Sequence, residues 1–145
     1  ILSAFYGVLK PMDGVTPYRL EMQAKAEIEE TANLYDYWGD RLYHSVIDDS
    51  RTIINLASKE YSKCIERYLS DKDNYITITF CELSGDKLVT KGTYAKMARG
   101  EMVRFMAENN IENPVDIQKF DRLGYTFRGN LSSETEYVFE RKVEK

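Results

Sequence analysis

The stretch YITITFCE, residues 75–82, decides the fold of this chain. Its apolar residues Ile76, Ile78 and Phe80 alternate with polar residues, and successive side chains of a strand point to opposite faces of a sheet. The stretch therefore predicts a strand with one apolar face. A turn at residues 84–86 and a return run at residues 87–92 make this strand the first half of a β-hairpin.

The segment after the hairpin has the strongest helical pattern. From residue 93 to about residue 110, apolar side chains recur at helical spacing, which places them in one stripe on a single face. We expect that stripe to face the core. Its members are Tyr94, Ala98, Met102, Phe105 and Met106.

Shorter elements fill the rest of the chain. The predicted strands cover residues 1–7, 52–56, 123–127 and 135–141, and the predicted helices cover residues 33–48, 58–69 and 113–120. Asn33, Ser58 and Asn113 stand at predicted N-caps, and Pro114 suits a first helical position. We expect an α+β fold with a mixed β-sheet and packed helices, including a helix-hairpin-helix-like pair after the hairpin. No stretch has linker-like composition, so we predict a single domain over residues 1–145.

Composition bounds the class of protein. The 145 residues are 43% hydrophobic and 30% charged, which is typical of a soluble globular protein. The net charge of −4 opposes nucleic-acid binding driven by total charge, although it leaves room for a local basic patch. No apolar run approaches the ~20 residues of a membrane span, and we expect a cytoplasmic protein without a membrane partner.

The residues that commonly bind metals are scarce. Cys64 and Cys81 lie in different predicted elements without CxxC spacing, so we expect two buried free thiols in a reducing compartment. His44 is the single histidine. One histidine and two scattered cysteines make a poor transition-metal site, and we therefore predict neither a metal nor another cofactor.

Five polar segments with tight spacing follow one another along the chain. The first is KPMDGVTPYRLEM, residues 10–22, in which prolines restrict the backbone and predict an ordered, charged loop of the kind that often carries function. The other four segments are YWGD at residues 37–40, INLASKEY at residues 54–61, YAKMARGEMVR at residues 94–104 and SSETEYVF at residues 132–139.

In this order, the five segments resemble the YaaA family of bacterial peroxide-stress proteins. The resemblance extends from LSAFYG at residues 2–7 to Arg141, which is nearly the whole chain. Members of that family are considerably longer at the N-terminus, so we expect the chain to be the C-terminal portion of a longer protein, with the preceding segment as a partner. The resemblance implies DNA binding through a helix-hairpin-helix element and a positively charged cleft. It also implies a peroxide-stress role linked to limited free intracellular iron and less oxidative DNA damage.

The helix after the hairpin supplies the candidate DNA contacts. Lys96 and Arg99 project away from the apolar stripe, and Gly100 between them and Arg104 lets a phosphate backbone approach closely. Such contacts hold phosphates and read little sequence. The alternative is a solvated basic face with a packing glycine. The candidate DNA-binding residues are Lys10, Arg19, Lys91, Lys96, Arg99 and Arg104.

A second hypothesis is an enzyme with a small-molecule substrate. Polar residues lie where the strand over residues 52–56 passes into a helix, and strand ends of this kind often form pockets. Glu60 is the candidate general base, with Arg19 beside it. No Ser/His/Asp or Cys/His arrangement is visible, so we favour a DNA-binding protein and assign no catalytic residue. The polar pocket would consist of Asp40, Asn55, Ser58 and Glu60.

Overall fold

The computed structural model describes residues 1–84 and 87–142. The chain divides into two compact units, which are described separately. Unit 1 comprises Ile1–Ile53 and Ala57–Asn74, and unit 2 comprises Ile54–Leu56 and Tyr75–Lys145. The single-domain prediction stays a prediction. The turn predicted at residues 84–86 lies largely outside the described residues.

Unit 1 opens with a two-stranded antiparallel sheet, formed by β1 (Leu2–Ser3) and β2 (Gly7–Val8). The prediction of one continuous strand over residues 1–7 is wrong because the chain reverses direction between β1 and β2. The Ser3 hydroxyl stabilises this reversal by accepting a hydrogen bond from the Tyr6 backbone N–H at 2.9 Å.

The helices of unit 1 are α1 (Leu34–Trp38), α2 (Arg41–Val46) and α3 (Lys59–Glu66). The Asn33 cap is confirmed, since its Oδ1 accepts the Asp36 backbone N–H at 3.0 Å. The single helix predicted over residues 33–48 is wrong, because Gly39 adopts a φ of +51° and separates α1 from α2. Ser58 precedes α3 as predicted, but its side chain makes no capping hydrogen bond.

A mixed sheet of five strands, most of whose residues belong to unit 2, confirms the expected α+β class. Its strands are β3 (Thr52–Asn55), β4 (Asn74–Ser84), β5 (Lys87–Val89), β6 (Tyr125–Phe127) and β7 (Glu136–Arg141). The order is β3-β4-β7-β6, and β5 pairs with β4. The β4–β7 pair is parallel, whereas β5 and β6 pair antiparallel with their neighbours. The β-hairpin predicted from the alternating stretch corresponds to β4 and β5.

The core of unit 2 lies between this sheet and the helix α4 (Gly92–Glu108). Phe80 and Phe139 are neighbours on the parallel strands, and both rings contact Phe120 with centroid separations below 6 Å. The apolar face predicted for β4 is confirmed, because its alternating residues are buried. Those residues are Ile76, Ile78 and Phe80.

Helix α4 confirms most of the predicted stripe. Ala98, Met102 and Phe105 are buried, and Met106 packs against the core. Tyr94 is the exception: its side chain is 41% exposed and its ring lies over the Arg141 guanidinium at 3.6 Å. The predicted core position of Tyr94 is therefore wrong, since it covers a charged group at the sheet end.

The second member of the predicted helix pair is a six-residue 3-10 helix, Pro114–Lys119. Its predicted cap is confirmed, because Asn113 Oδ1 accepts the Val115 backbone N–H at 3.0 Å. A helix-hairpin-helix arrangement is not confirmed by this geometry. A second 3-10 turn, Gly129–Leu131, precedes β7. Among the helices of the described residues, none has the length and apolar character needed to span a membrane.

Candidate nucleic-acid interface

The exposed face of α4 carries Lys96, Gly100 and Arg104. These residues lie opposite the buried stripe because a helix advances 100° per residue. A Cβ built on Gly100 meets no atom of the described residues within 4 Å. Gly100 therefore packs against no described residue, whereas the alternative of a solvated basic face stays open. The helix has an open surface at Gly100 with a cation on either side.

Arg99 occupies a different place on α4 from the one predicted. It lies at the margin of the buried stripe and is half-buried, whereas the sequence pattern placed it on the opposite, solvated face. Burial lowers the pKa of its guanidinium, because desolvation opposes the charged form. Its Nε is buried without a hydrogen-bond partner, and no carboxylate of residues 1–84 or 87–142 forms an ion pair with it. Arg99 is therefore a partly desolvated cation without a counter-charge in the described chain.

Lys91 and Arg104 already have carboxylate partners. Arg104 Nε lies 2.8 Å from Glu108 Oε1, and this hydrogen bond is the main reason that the pKa of Arg104 is raised. Lys91 Nζ lies 2.9 Å from Glu82 Oε2, and Arg141 lies 2.7 Å from the other Glu82 oxygen. Both contacts to Glu82 are charge–charge contacts rather than aligned hydrogen bonds. Two of the four candidates in unit 2 are thus partly neutralised.

The remaining two candidate cations lie in unit 1, on the loop over residues 10–22. Lys10 and Arg19 are exposed, and neither forms an ion pair with another described residue. The Lys10 backbone N–H donates to Asp13 Oδ2 at 2.7 Å, which orders the start of the loop. The six candidates therefore divide between the units, two in unit 1 and four in unit 2.

The residues of the predicted polar pocket have separate partners. Asp40 lies 3.3 Å from His44 Nε2, and Glu60 Oε1 accepts the Gln23 backbone N–H at 3.2 Å. Asn55 is buried in unit 2, where its Nδ2 donates to Thr77 Oγ1 at 3.3 Å. The polar pocket stays a prediction. Ser58 forms no side-chain hydrogen bond to Asp40 or Glu60, and all three belong to unit 1.

Sequence reasoning missed a cavity in unit 1. Its volume is about 440 Å³, and Tyr6, Trp38, Lys10 and Arg41 are among its lining residues. None of the four predicted pocket residues lines it. Gly7 and Trp38 both line the cavity, and a Cβ on Gly7 would lie 2.9 Å from the Trp38 ring, so this position requires glycine. The available sequence signal was the glycine that follows Tyr6.

Both cysteines are buried free thiols, as expected. Burial is the main cause of the raised pKa of each thiol, and it raises the pKa of Cys64 to about 11. A thiol reacts with peroxide and alkylating agents as its thiolate, so a raised pKa suppresses the reaction. Within the described residues no group of three or more His, Cys, Asp and Glu side chains is arranged to hold a metal ion.

The cysteine geometry predicts slow thiol chemistry. At pH 7.4 we expect Cys64 in the folded chain to react with iodoacetamide at least about 100-fold more slowly than free cysteine, since its thiolate fraction is that much smaller. Mass spectrometry of timed samples measures the rate, and the urea-unfolded chain is the control that restores ordinary reactivity. A folded-state rate equal to the unfolded-state rate contradicts the burial of this thiol.

The chain is similar to a known group of bacterial proteins. The family model described as Peroxide stress protein YaaA matches residues 1–131. A UPF0246 protein of Agathobacter rectalis is 80% identical over 143 residues, which make up 99% of this chain and 57% of that protein. UPF0246 proteins of Lachnoclostridium phytofermentans and Clostridioides difficile are 55% and 44% identical, and the chain covers 54% and 58% of their lengths. The chain thus spans a little over half the length of the curated relatives it matches.

Proposed function

Since the chain belongs to the YaaA family of peroxide stress proteins, we propose that it acts in peroxide stress by binding DNA phosphates through the unpaired cations of α4. Arg99 and Lys96 are the principal contacts in this proposal. The bound DNA is shielded from oxidative damage, and the link to lower free iron that the resemblance implies belongs to the same proposal. The protein acts in the cytoplasm, where the chromosome lies.

The observation that carries the proposal is the unpaired state of Arg99. Partial desolvation of a cation without a counter-charge is unfavourable, and within the described residues Arg99 receives no compensating ion pair. A guanidinium retains its charge at all physiological pH values and presents a planar set of donors that matches a phosphate. A phosphate oxygen beside the half-buried guanidinium supplies the missing negative charge.

Lys96 and Gly100 make the same surface accessible to a polyanion. Lys96 is exposed and forms no ion pair with the described part of the chain. Because no atom of residues 1–84 and 87–142 lies within 4 Å of a Cβ built on Gly100, a phosphate backbone can approach the helix there. The overall charge of −4 does not oppose this, since screening limits the reach of distant charges to about 10 Å at 0.1 M salt.

This geometry predicts little sequence specificity. Phosphate contacts position a protein on DNA, whereas sequence is read by contacts to base edges in the grooves. Lys96 and Arg99 lie on one helix with paired cations beside them, and this set provides charge without the amide side chains that commonly read adenine. We therefore propose that the α4 surface binds duplexes of different sequence with similar affinity.

Single substitutions separate the unpaired cations from the paired ones. We expect Arg99→Ala and Lys96→Ala each to weaken duplex binding about 10-fold, the value of one charge-assisted hydrogen bond, at 50 mM salt. Arg104→Ala is expected to have less effect, because Arg104 is held by Glu108. Fluorescence anisotropy with a labelled 20-base-pair duplex provides the dissociation constants.

The matched control is Lys87→Ala, since Lys87 is an exposed lysine of unit 2 that lies on β5 instead of α4. Its duplex affinity is expected to stay within twofold of the unsubstituted chain. Arg99→Lys tests geometry because it keeps the charge and loses the planar donors. Equal losses for Lys87→Ala and Arg99→Ala, or no loss for either α4 substitution, contradict the proposed surface.

A further inference from the structure

Unit 1 carries an aromatic surface beside a basic cavity, and neither feature is used by the α4 proposal. We infer that this part of the chain binds an unpaired nucleotide, with the base against the aromatic rings and the phosphate beside Lys10 and Arg41. The inference rests on the proposed DNA binding and adds a second recognition mode. We name the aromatic surface, Phe5, Tyr6 and Tyr18, the aromatic platform.

The three rings of the aromatic platform contact one another. Phe5 lies 4.9 Å from Tyr6 and 5.4 Å from Tyr18 between ring centroids, and Tyr6 and Tyr18 are 5.5 Å apart. Phe5 is nevertheless 58% exposed and Tyr18 is 42% exposed. Aromatic side chains lose much favourable burial when exposed together, and a contiguous exposed apolar patch commonly marks a binding surface.

Hydrogen bonds to the polar tips hold two of these rings in place. The Tyr6 hydroxyl accepts the Thr16 backbone N–H at 3.0 Å. The Tyr18 hydroxyl is hydrogen-bonded to the Ser3 hydroxyl. Because the polar atoms are already occupied inside the chain, the ring surfaces are what remains for a ligand. A rigid aromatic surface also loses little conformational entropy on binding.

The cavity continues this surface through Tyr6, which belongs both to the aromatic platform and to the cavity lining. Trp38 is fixed in the wall by the hydrogen bond from its Nε1 to the Ala4 carbonyl at 2.9 Å. Gly7 is required at its position, since a Cβ there would lie 2.9 Å from the Trp38 ring. A volume of about 440 Å³ falls within the range of about 300–1,000 Å³ typical of small-molecule sites.

The charges around the cavity favour an anion. Lys10 and Arg41 line it together with one acid, Asp13. The Asp13 carboxylate accepts the Lys10 backbone N–H at 2.7 Å, and neither cation forms an ion pair within residues 1–84 and 87–142. Arg41 Nε donates to the Trp38 carbonyl at 3.0 Å, which fixes the guanidinium against the cavity wall. The excess of positive charge is complementary to a phosphate.

A nucleotide combines the two properties that this surface recognises, a planar aromatic ring and a phosphate. Proteins that bind single strands use the same combination of stacking aromatic side chains and nearby cations. The ligand has two sources with this chemistry: an unpaired nucleotide of a DNA strand and a free nucleotide. The strand is the source we assign, because the exposed platform extends beyond the cavity and offers room for more than one base.

Trp38 makes the site directly measurable, since it is the chain's single tryptophan. We expect its emission to change on titration of the 145-residue chain with a dT12 oligomer. Phe5→Ala is expected to weaken dT12 binding about 5- to 160-fold, the range for loss of one stacking partner. Lys10→Ala is expected to lower the salt slope of dT12 binding by about 0.7, the value for one single-strand phosphate.

The controls are matched by exposure and chemistry. Met12 is 94% exposed, and Lys25 is an exposed lysine of unit 1 outside the cavity lining. Met12→Ala and Lys25→Ala should bind dT12 within twofold of the unsubstituted chain, and Phe5→Tyr should retain the affinity that Phe5→Ala loses. Circular dichroism confirms that each variant is folded.

The outcomes separate the sources and the two proposals. Tighter binding of dT12 than of dTMP assigns the strand, and equal affinities overturn that assignment in favour of a free nucleotide. Unchanged Trp38 emission at saturating dT12 and dTMP, or equal affinities of Phe5→Ala and Met12→Ala, overturns the site itself. In these proposals blunt duplex binding depends on α4 alone, so Phe5→Ala should change the duplex affinity by less than twofold. A loss of duplex affinity in the α4 variants tests the α4 proposal and does not contradict the nucleotide site in unit 1.

Discussion

Replacement of Glu82 by Gln is expected to lower the free energy of unfolding by about 3 kcal/mol, the lower end of the range for breaking a buried ion pair. Glu82 is 1% exposed, and its two oxygens face Lys91 at 2.9 Å and Arg141 at 2.7 Å. Glutamine keeps the shape but leaves both cations without their counter-charge. The lower end of the range applies because the Lys91 side chain is half-exposed and can turn toward water. Urea denaturation monitored by circular dichroism measures the change.

Two further substitutions rank the contributions at Glu82. Arg141→Met should destabilise the chain more than Lys91→Met, since Arg141 is 20% exposed and also lies under the Tyr94 ring. The control is Glu134→Gln, an exposed acid of unit 2, which should change stability by less than about 0.5 kcal/mol. A midpoint for Glu82→Gln equal to that of Glu134→Gln contradicts the structural role assigned to this cluster.

The second large effect is the combined loss of the unpaired α4 cations. We expect Lys96→Ala with Arg99→Met to weaken duplex binding about 100-fold, from two charge-assisted hydrogen bonds of about 1.5 kcal/mol each. Methionine replaces the apolar stem of arginine and removes a partly buried charge that has no counter-charge among the described residues. The stability of the variant should therefore stay unchanged or rise by up to about 1 kcal/mol.

Opposite changes in stability and affinity distinguish a binding role from a structural one. Replacement of a cation that stabilises the fold would lower both the stability and the duplex affinity. Replacement of Lys96 and Arg99 is expected to lower the duplex affinity alone. The double variant Lys87→Ala with Lys119→Ala removes the same charge from exposed positions outside α4 and serves as the control. Destabilisation of the α4 variant by more than about 1 kcal/mol assigns its cations to the fold.

Local patterns predicted the elements whose sequences bury a regular face. The alternation over residues 75–82 gave β4 its correct face, and helical spacing gave α4 its buried stripe apart from Tyr94. The interruptions of the helices depended on single residues. Gly39 adopts a positive φ and ends α1, although the apolar helical pattern around it indicated a continuous helix. Tyr94 lies outside the core because its ring packs over the guanidinium of Arg141, which stands 47 positions later in the sequence.

The sequence predicted which cations belong to the candidate site, but it did not predict which of them form ion pairs. The sequence marked Lys91, Lys96 and Arg99 as equivalent candidate DNA contacts. Tertiary contacts separate them, since Lys91 pairs with Glu82 on β4 and Arg99 is half-buried without an ion-pair partner in the described chain. Such pairings join residues on different elements, so spacing along one helix carries no information about them. The cavity of unit 1 was missed for the same reason, because Tyr6 and Trp38 lie far apart in the sequence.

The salt dependence of duplex binding tests the DNA-binding proposal most directly. Each phosphate contact contributes about 0.9 to the slope of log affinity against log salt. The dissociation constants of the unsubstituted chain and of the variant with Lys96→Ala and Arg99→Met should be measured from 50 to 200 mM salt. We predict salt-sensitive binding whose slope falls by about 2 in the variant, with the fold retained. Equal slopes for the two chains, or no duplex binding by the unsubstituted chain at 50 mM salt, contradict the assignment of the DNA surface to α4.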